Sequence, residues 1–439
     1  MTKTKLISLA LLVMMLFSVF AAPVSAQDVI NVDLKLDVSG GTAAGTAVTD
    51  SSSGSMVLLL AFYDGNDVLQ NAVYEKIDLS AGEAEYTVSA AVPDGAVNAK
   101  LFAFDSLDTL APLSRAVFRK LDKTLKVLAI GNSFSVDGME YLYQIAKSAG
   151  YDDITLGNLY IGGCSLDTHY NNAMYGNASY TYYKNTTGSW TSTEDTTMLY
   201  GIKDEPWDII TLQQASGSSG RPDTYSRLER LVGYVNSNKT NPDAKIGWHM
   251  TWAYQGDSTH ADFVYYDKSQ KTMYNAILST VKQEVIPTGL FDFIIPSGTA
   301  IQNARTSYIG DTLTRDGYHL SIPYGRYIAG LTWMQTITGV RPEEISYSPN
   351  VSINSSMLEI AREAVSNAVK DPFVNTRSVY TEEPQIDWDS YEQLELELTP
   401  YAYYFSTNDT DVYLGIGEEF NSKLLQLKSL PKNKFRLAR

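Results

Sequence analysis

The sequence predicts an α/β protein built on a mainly parallel five-stranded sheet, with an all-β module in front of it. From about Thr124, short apolar runs alternate with amphipathic segments of helical period, the pattern of strands covered by helices. Over about 28–120 the runs are instead short and broken by close turn signals, with no helical period. Hydrophobic residues make up 44% of the 439 positions, enough for a separate core in each part.

The chain opens with Lys3 and Lys5, an apolar stretch from Leu6 to Ala21, and Val24-Ser25-Ala26. A positive start, a short apolar centre and a small-x-small cleavage site predict a signal peptide over 1–26, and hence an exported protein. Over 27–120, Val29 to Leu36 alternates in polarity, Ala84 to Ala90 does so less cleanly, and Met56–Tyr63 and Ala99–Phe104 are strand-like. Asp64-Gly65-Asn66 and Pro93-Asp94-Gly95 supply turns. Short strands with frequent turns suggest an immunoglobulin- or fibronectin-like sandwich. It carries no histidine and reads as a spacer or adhesion module.

The α/β domain is expected over 124–375. Its first strand, Val127 to Ile130, ends at Gly131 and leads through Asn132-Ser133 into a helix with Leu142, Ile145, Ala146 and Ala149, closed by Gly150. Ile154–Ile161, Asp208–Gln213, Lys245–Trp252 and Phe291–Ile295 are the further strands. Helices are expected around Leu228–Val235, Met273–Val285 and Pro323–Thr338, with a polar loop before the last. An insertion of about Tyr170–Gly201, rich in Tyr, Asn, Thr and Gly, is either a binding or lid loop or a structural flap. A helix around Leu358–Ala368 packs on this domain. The extension 376–439 is acidic and aromatic, then basic from Lys423, and is left unassigned among a small β appendage, a wall-contact segment and a disordered tail.

A net charge of −16 argues against nucleic acid and anionic membranes as partners. No segment after the leader reaches 18 apolar residues, so no membrane insertion is expected once the leader is removed. Cys164 stands alone, so no internal disulfide forms, and its small apolar surroundings favour a buried thiol over a reactive one. Thirty tyrosines suit either a sugar-binding surface or the filling of extracellular β structure.

A strand, a glycine turn, a serine and a helix place the Ser133 hydroxyl at the carboxyl end of a parallel strand, where ligands gather in open α/β sheets. A nucleophile there needs a base, and the base needs an orienting group. Among four histidines, His319 stands three residues after Asp316, at the expected entrance of the last α/β helix. His169 follows Gly-Gly-Cys-Ser-Leu-Asp-Thr and could line the pocket, while His249 reads as a satisfied core or rim residue. His260 lies near Asp257 and Asp262 without a third convincing metal ligand. Trp248, Trp252 and Tyr254 either stack on a sugar or pack the core.

Taken together, Gly131-Asn132-Ser133-Phe134-Ser135, Gly162-Gly163-Cys164-Ser165-Leu166, Leu212-Gln213-Gln214 and Asp316-Gly317-Tyr318-His319 resemble the SGNH (GDSL-like) hydrolase superfamily, over residues 124–340. The resemblance implies a three-layer α/β/α domain in which Ser133 is the nucleophile, His319 the base and Asp316 its partner. It gives the oxyanion hole to the N–H groups of Ser133 and of Gly163 or Gly162. The family's third-block asparagine is missing, and Gln213 or Gln214 would have to supply its amide. Asn132 stands where the family usually has aspartate. The expected activity is that of a secreted serine esterase removing acetyl or other acyl groups from carbohydrate or a small ester, with no cofactor. Substrate contacts are expected from Asn132, His169, Trp252 and Tyr254. The alternative is a non-catalytic extracellular carbohydrate-binding or cell-surface protein on the same scaffold.

Overall fold

The computed structural model describes residues 30–384, apart from 52, 80–84 and 351, and the backbone of four strands between 403 and 437. The leader expected over 1–26 lies outside the described residues. The N-terminal region is all-β: β1 (Val32–Ser39), β2 (Thr42–Thr49), β3 (Ser55–Tyr63), β4 (Leu69–Asp78), β5 (Glu85–Ala91), β6 (Asn98–Phe104) and β7 (Val117–Lys120). They form two antiparallel sheets, ordered β1-β2-β5 and β4-β3-β6-β7. β3 lacks alternation because both of its faces are covered. Met56, Leu58, Leu60 and Phe62 share a core with Val32, Leu36 and Ala43, while Val57, Leu59 and Ala61 pack with Phe102 and Phe104 on the other side.

The second region alternates as expected: β8 (Thr124–Gly131), α1 (Ser133–Met139), α2 (Leu142–Ser148), β9 (Asp153–Tyr160), α3 (Leu166–Tyr175), β10 (Tyr180–Asn185), β11 (Thr191–Thr196), α4 (Met198–Asp204), β12 (Ile209–Leu212), α5 (Leu228–Asn238), β13 (Lys245–His249), α6 (Gln270–Thr280), β14 (Phe293–Ile295), α7 (Ser297–Ala304), α8 (Tyr324–Thr338) and α9 (Ser355–Lys370). Its sheet has seven strands rather than five, in the order β11-β10-β9-β8-β12-β13-β14. The five expected strands are mutually parallel. The other two come from the insertion, whose hairpin β10–β11 pairs antiparallel with β9. The insertion is therefore part of the sheet edge, because its threonines and tyrosines suit a pleated surface. The polar loop expected after β14 begins instead with α7, whose Ser297, Thr299, Gln302 and Asn303 give it the composition of a loop although all but Gln302 are buried.

From β8 the chain first steps to one side, to β9, and then crosses back to β12 on the other side. Right-handed crossovers put the helices of opposite steps on opposite faces of the sheet. Accordingly α1, α2, α7, α8 and α9 pack with one another, and α3, α4 and α5 form a separate group. The reversal falls at the carboxyl end of β8, the place where open α/β sheets bind ligands.

The two regions meet through polar contacts. Arg119 of β7 donates to both carboxylate oxygens of Glu344 at 2.7 and 2.5 Å, and Arg341 reaches Asp37 at 2.6 Å. After α9 the chain turns back, and the Thr376 N–H donates to Asn303 Oδ1 of α7 at 2.7 Å. Tyr403–Asn408, Asp411–Ile416, Leu425–Leu430 and Lys434–Leu437 pair into an antiparallel four-stranded sheet.

Candidate active site

The turn after β8 is shaped by what surrounds it. A Cβ at Gly131 would lie 2.7 Å from Ser135 Oγ and 3.0 Å from Gln213 Cδ, so only glycine lets these groups close in. Asn132 caps α1, its Oδ1 accepting from the Phe134 N–H at 3.0 Å. Ser133 is the first residue of the helix, where N–H groups have no partner within the helix. Its Oγ lies 2.8 Å from His319 Nε2.

His319 Nδ1 in turn lies 2.6 Å from Asp316 Oδ2, and Asp316 Oδ1 accepts from the backbone N–H groups of His319 and Tyr318 at 2.8 and 3.2 Å. Burial pushes the Asp316 carboxyl up, but the bonds from His319 and Tyr318 outweigh it and hold it below its ordinary value. An ionised carboxylate only accepts, so Nδ1 carries the proton and the Nε2 lone pair faces the serine hydroxyl. His319 does not stand at a helix entrance. α8 begins only at Tyr324, and the histidine sits in a tight loop closed by a Thr314–Leu320 bridge and by the Arg315 N–H donating to His319 O at 2.9 Å.

That loop is pinned to the serine's own helix. Asp137, one turn after Ser133 and fully buried, accepts from the Leu320 N–H at 2.8 Å, from Arg326 at 2.8 Å and from Arg315 at 3.1 Å. Asp137→Asn keeps the shape but replaces a charged acceptor of three bonds with an amide beside two guanidinium groups. Small displacements of reacting groups lower rates by about 10²-fold. The expected result for Asp137→Asn is therefore a fall in kcat of about that size, with KM within about twofold of the parent, read from initial rates on a small ester.

The oxyanion side departs from expectation. Gly163 has φ +63°, a left-handed conformation that glycine adopts freely, and it is exposed beside the serine turn. Neither glutamine amide is directed there. Gln213 Nε2 donates to Asn132 Oδ1 at 2.8 Å, and its Oε1 lies 2.8 Å from His249 Nδ1. Gln214 Nε2 donates to Thr224 O and Oγ1 at 3.0 and 3.1 Å, while its Oε1 accepts from the Leu166 and Ala215 N–H groups. β12 ends at Leu212, so strand alternation does not govern which glutamine faces the site; local hydrogen bonds take up both. The result is a buried relay. Ser297 Oγ donates to His249 Nε2 at 3.0 Å, His249 to Gln213, Gln213 to Asn132, and Asn132 Nδ2 to Cys164 O at 3.1 Å. It ties the serine turn to the Gly162-Gly163-Cys164 turn.

The family model described as "Domain of unknown function (DUF4886)" matches residues 126–368. The chain belongs to this family. A DUF4886 family protein of known crystal structure from Bacteroides uniformis is 41% identical, with a TM-score of 0.57 over 59% of this chain and 100% of that one. Axe2, an acetylxylan esterase from Geobacillus stearothermophilus, is 13% identical over 52% of this chain and 97% of its own, with a TM-score of 0.34. The salicylyl-acyltransferase SsfX3 of a tetracycline biosynthetic pathway is 13% identical over 71% and 94%, with a TM-score of 0.28. Likeness at those last two levels assigns no chemistry. No curated protein matches the chain.

Within this DUF4886 domain, four residues expected to touch substrate are instead buried supports. Asn132 holds the turns together as described. Trp252 stacks on Phe134 at 4.3 Å and donates through Nε1 to Tyr318 O at 2.7 Å, fixing the peptide before His319. Tyr254 is buried with its hydroxyl 2.8 Å from Ser216 Oγ. His169 is buried with Nδ1 2.9 Å from the Tyr180 hydroxyl, and its Nε2 has no protein partner. Two groups escaped the sequence reading. Asp137 sits i+4 from Ser133 in an apolar helix, and that lone buried charge is the signal that could have found it. Ser297, at the start of the unexpected α7, left no signal.

Proposed function

We propose that this protein is a secreted serine esterase with a three-layer SGNH-type domain, removing acetyl or other acyl groups from carbohydrate. The observation that carries the reading is the chain of hydrogen bonds from Ser133 Oγ through His319 to Asp316, joining groups 186 residues apart. In the proposed reaction His319 Nε2 takes the Ser133 proton as Oγ attacks the ester carbonyl. The N–H groups of Ser133 and Gly163 stabilise the oxyanion, and the imidazolium returns the proton to the departing alcohol. Water activated by the same imidazole attacks the acyl-serine and releases the acid, restoring Ser133. Asp316 keeps the imidazole in the required tautomer throughout.

One observation favours a second reading, a carbohydrate-binding protein without turnover. With both glutamine amides committed elsewhere, the oxyanion would have two backbone donors and no side-chain donor. Losing one such donor typically lowers a rate by about 10²–10³-fold. A fluorophosphonate probe separates the two. The esterase reading expects stoichiometric labelling of the folded protein at Ser133, abolished in Ser133→Ala. Folded protein that stays unlabelled belongs to the binder.

A further inference from the structure

The insertion hairpin presents an aromatic surface that continues from the candidate site. β10 pairs with β9 so that Thr181 faces Tyr160 and Tyr183 faces Asn158. Cross-strand partners share a face, as do residues two apart on a strand. All four side chains therefore lie on one face, and Asn158 Oδ1 accepting from Ser135 Oγ at 3.0 Å marks it as the face of α1. Tyr160 leans over the turn beyond its strand: a Cβ at Gly162 would lie 3.3 Å from its hydroxyl. Tyr183 follows, its ring centre 5.8 Å from that of Tyr160. Both rings are partly exposed although the surrounding sheet is a packed core. Beside them Thr181 Oγ1 donates to Glu194 Oε2 at 2.6 Å, a polar pair at the rim of the rings.

We infer that Tyr160 and Tyr183 form the platform on which a sugar ring of a neutral acylated oligosaccharide rests, with Glu194 accepting from its hydroxyls. This rests on the esterase reading for its link to turnover, but not for binding itself. Tyrosine faces pack against the apolar C–H face of a pyranose while a neighbouring carboxylate takes its hydroxyl hydrogens. The same carboxylate, in a chain of net charge −16, repels uronate-bearing glycans. The platform lies next to Gly162-Gly163, so a ring seated there brings its ester substituent to the Ser133 end of the sheet.

The test is calorimetric titration of the full chain carrying Ser133→Ala, which removes turnover from the measurement, with an acetylated manno-oligosaccharide and, separately, with an oligogalacturonate. The expected result is that the neutral sugar binds and the oligogalacturonate does not. Adding Tyr183→Ala weakens the neutral sugar's Kd about tenfold, the size of a lost stacking contact. Adding Tyr183→Phe leaves it within about twofold. Tyr175→Ala, at the far end of α3 and 79% exposed, serves as the control and leaves it unchanged. The inference is overturned if neither sugar binds, if Tyr183→Ala binds as its parent does, if Tyr175→Ala weakens binding equally, or if the uronate sugar binds as tightly. Turnover of the unmodified chain is read apart from this. Hydrolysis of a small ester without sugar binding removes the platform alone, and sugar binding without hydrolysis removes the esterase alone.

Discussion

Ser133→Ala and His319→Ala are each expected to lower ester turnover by about 10⁴–10⁶-fold, and the double variant is expected to be little worse than either. Nucleophile and base act as one unit, so removing the second member of a broken pair removes little more. What survives is the rate owed to the backbone donors and to substrate positioning. Folding should be nearly untouched. Ser133 is partly open to solvent, the His319 side chain is 17% exposed, and neither fills the core. The measurement is acetate release from a small acetyl ester and from acetylated oligosaccharides, with thermal melting as the folding control. Alanine variants that turn over within tenfold of the parent would take the catalytic assignment away from these residues.

Acid is expected to destabilise the protein well above the carboxylate range, by about 4 kcal/mol between pH 7 and pH 5. Burial pushes the imidazoles of His169 and His249 down from 6.5 to about 3. Both stay neutral in the folded chain while the unfolded chain takes up protons below 6.5. The unfolded state thus binds more protons between about pH 6.5 and pH 3, and stability falls as pH falls through that window. Each imidazole contributes about 2 kcal/mol by pH 5. Asp316 does not share this window. Its lowered carboxyl contributes stability that is present above the unfolded value of 3.8 and is lost only as pH falls through the lower folded value. Urea unfolding at pH 7, 6 and 5 reads the slope, and His169→Leu should remove about half of it whatever it does to stability at pH 7. A slope that is flat from pH 7 to 5 would mean that these rings are hydrated in the folded chain.

What could be read in the chain follows from how local each signal is. β8 is a continuous apolar run because it is covered on both faces, and Gly131-Asn132-Ser133 announces its own turn and cap. α5 and α9 show helical period because one face of each meets solvent. α7 is hidden in the sequence because it is short and half of its residues are polar, and only burial against its neighbours makes them part of the core. The insertion's composition suited both a loop and a strand, and only the free edge of β9 decided between them.

The two-region layout, the five parallel strands in their order along the chain, and the residue types of the candidate site are all legible in the sequence. These depend on periodicity and turn chemistry, which act within a few residues. Where each polar side chain makes its hydrogen bonds is settled by the packing of distant segments. Gln213, Gln214, Asn132, Trp252 and Tyr254 are polar groups just beyond the carboxyl ends of strands and His169 lies in the helix after one, and sequence alone offers each of them to a substrate. Buried donors and acceptors must find partners, however, and theirs come from other segments, 10 to 66 residues along the chain, Thr224, Cys164, Tyr180 and Tyr318 among them. Such partners are set by how the chain packs, which no local pattern encodes.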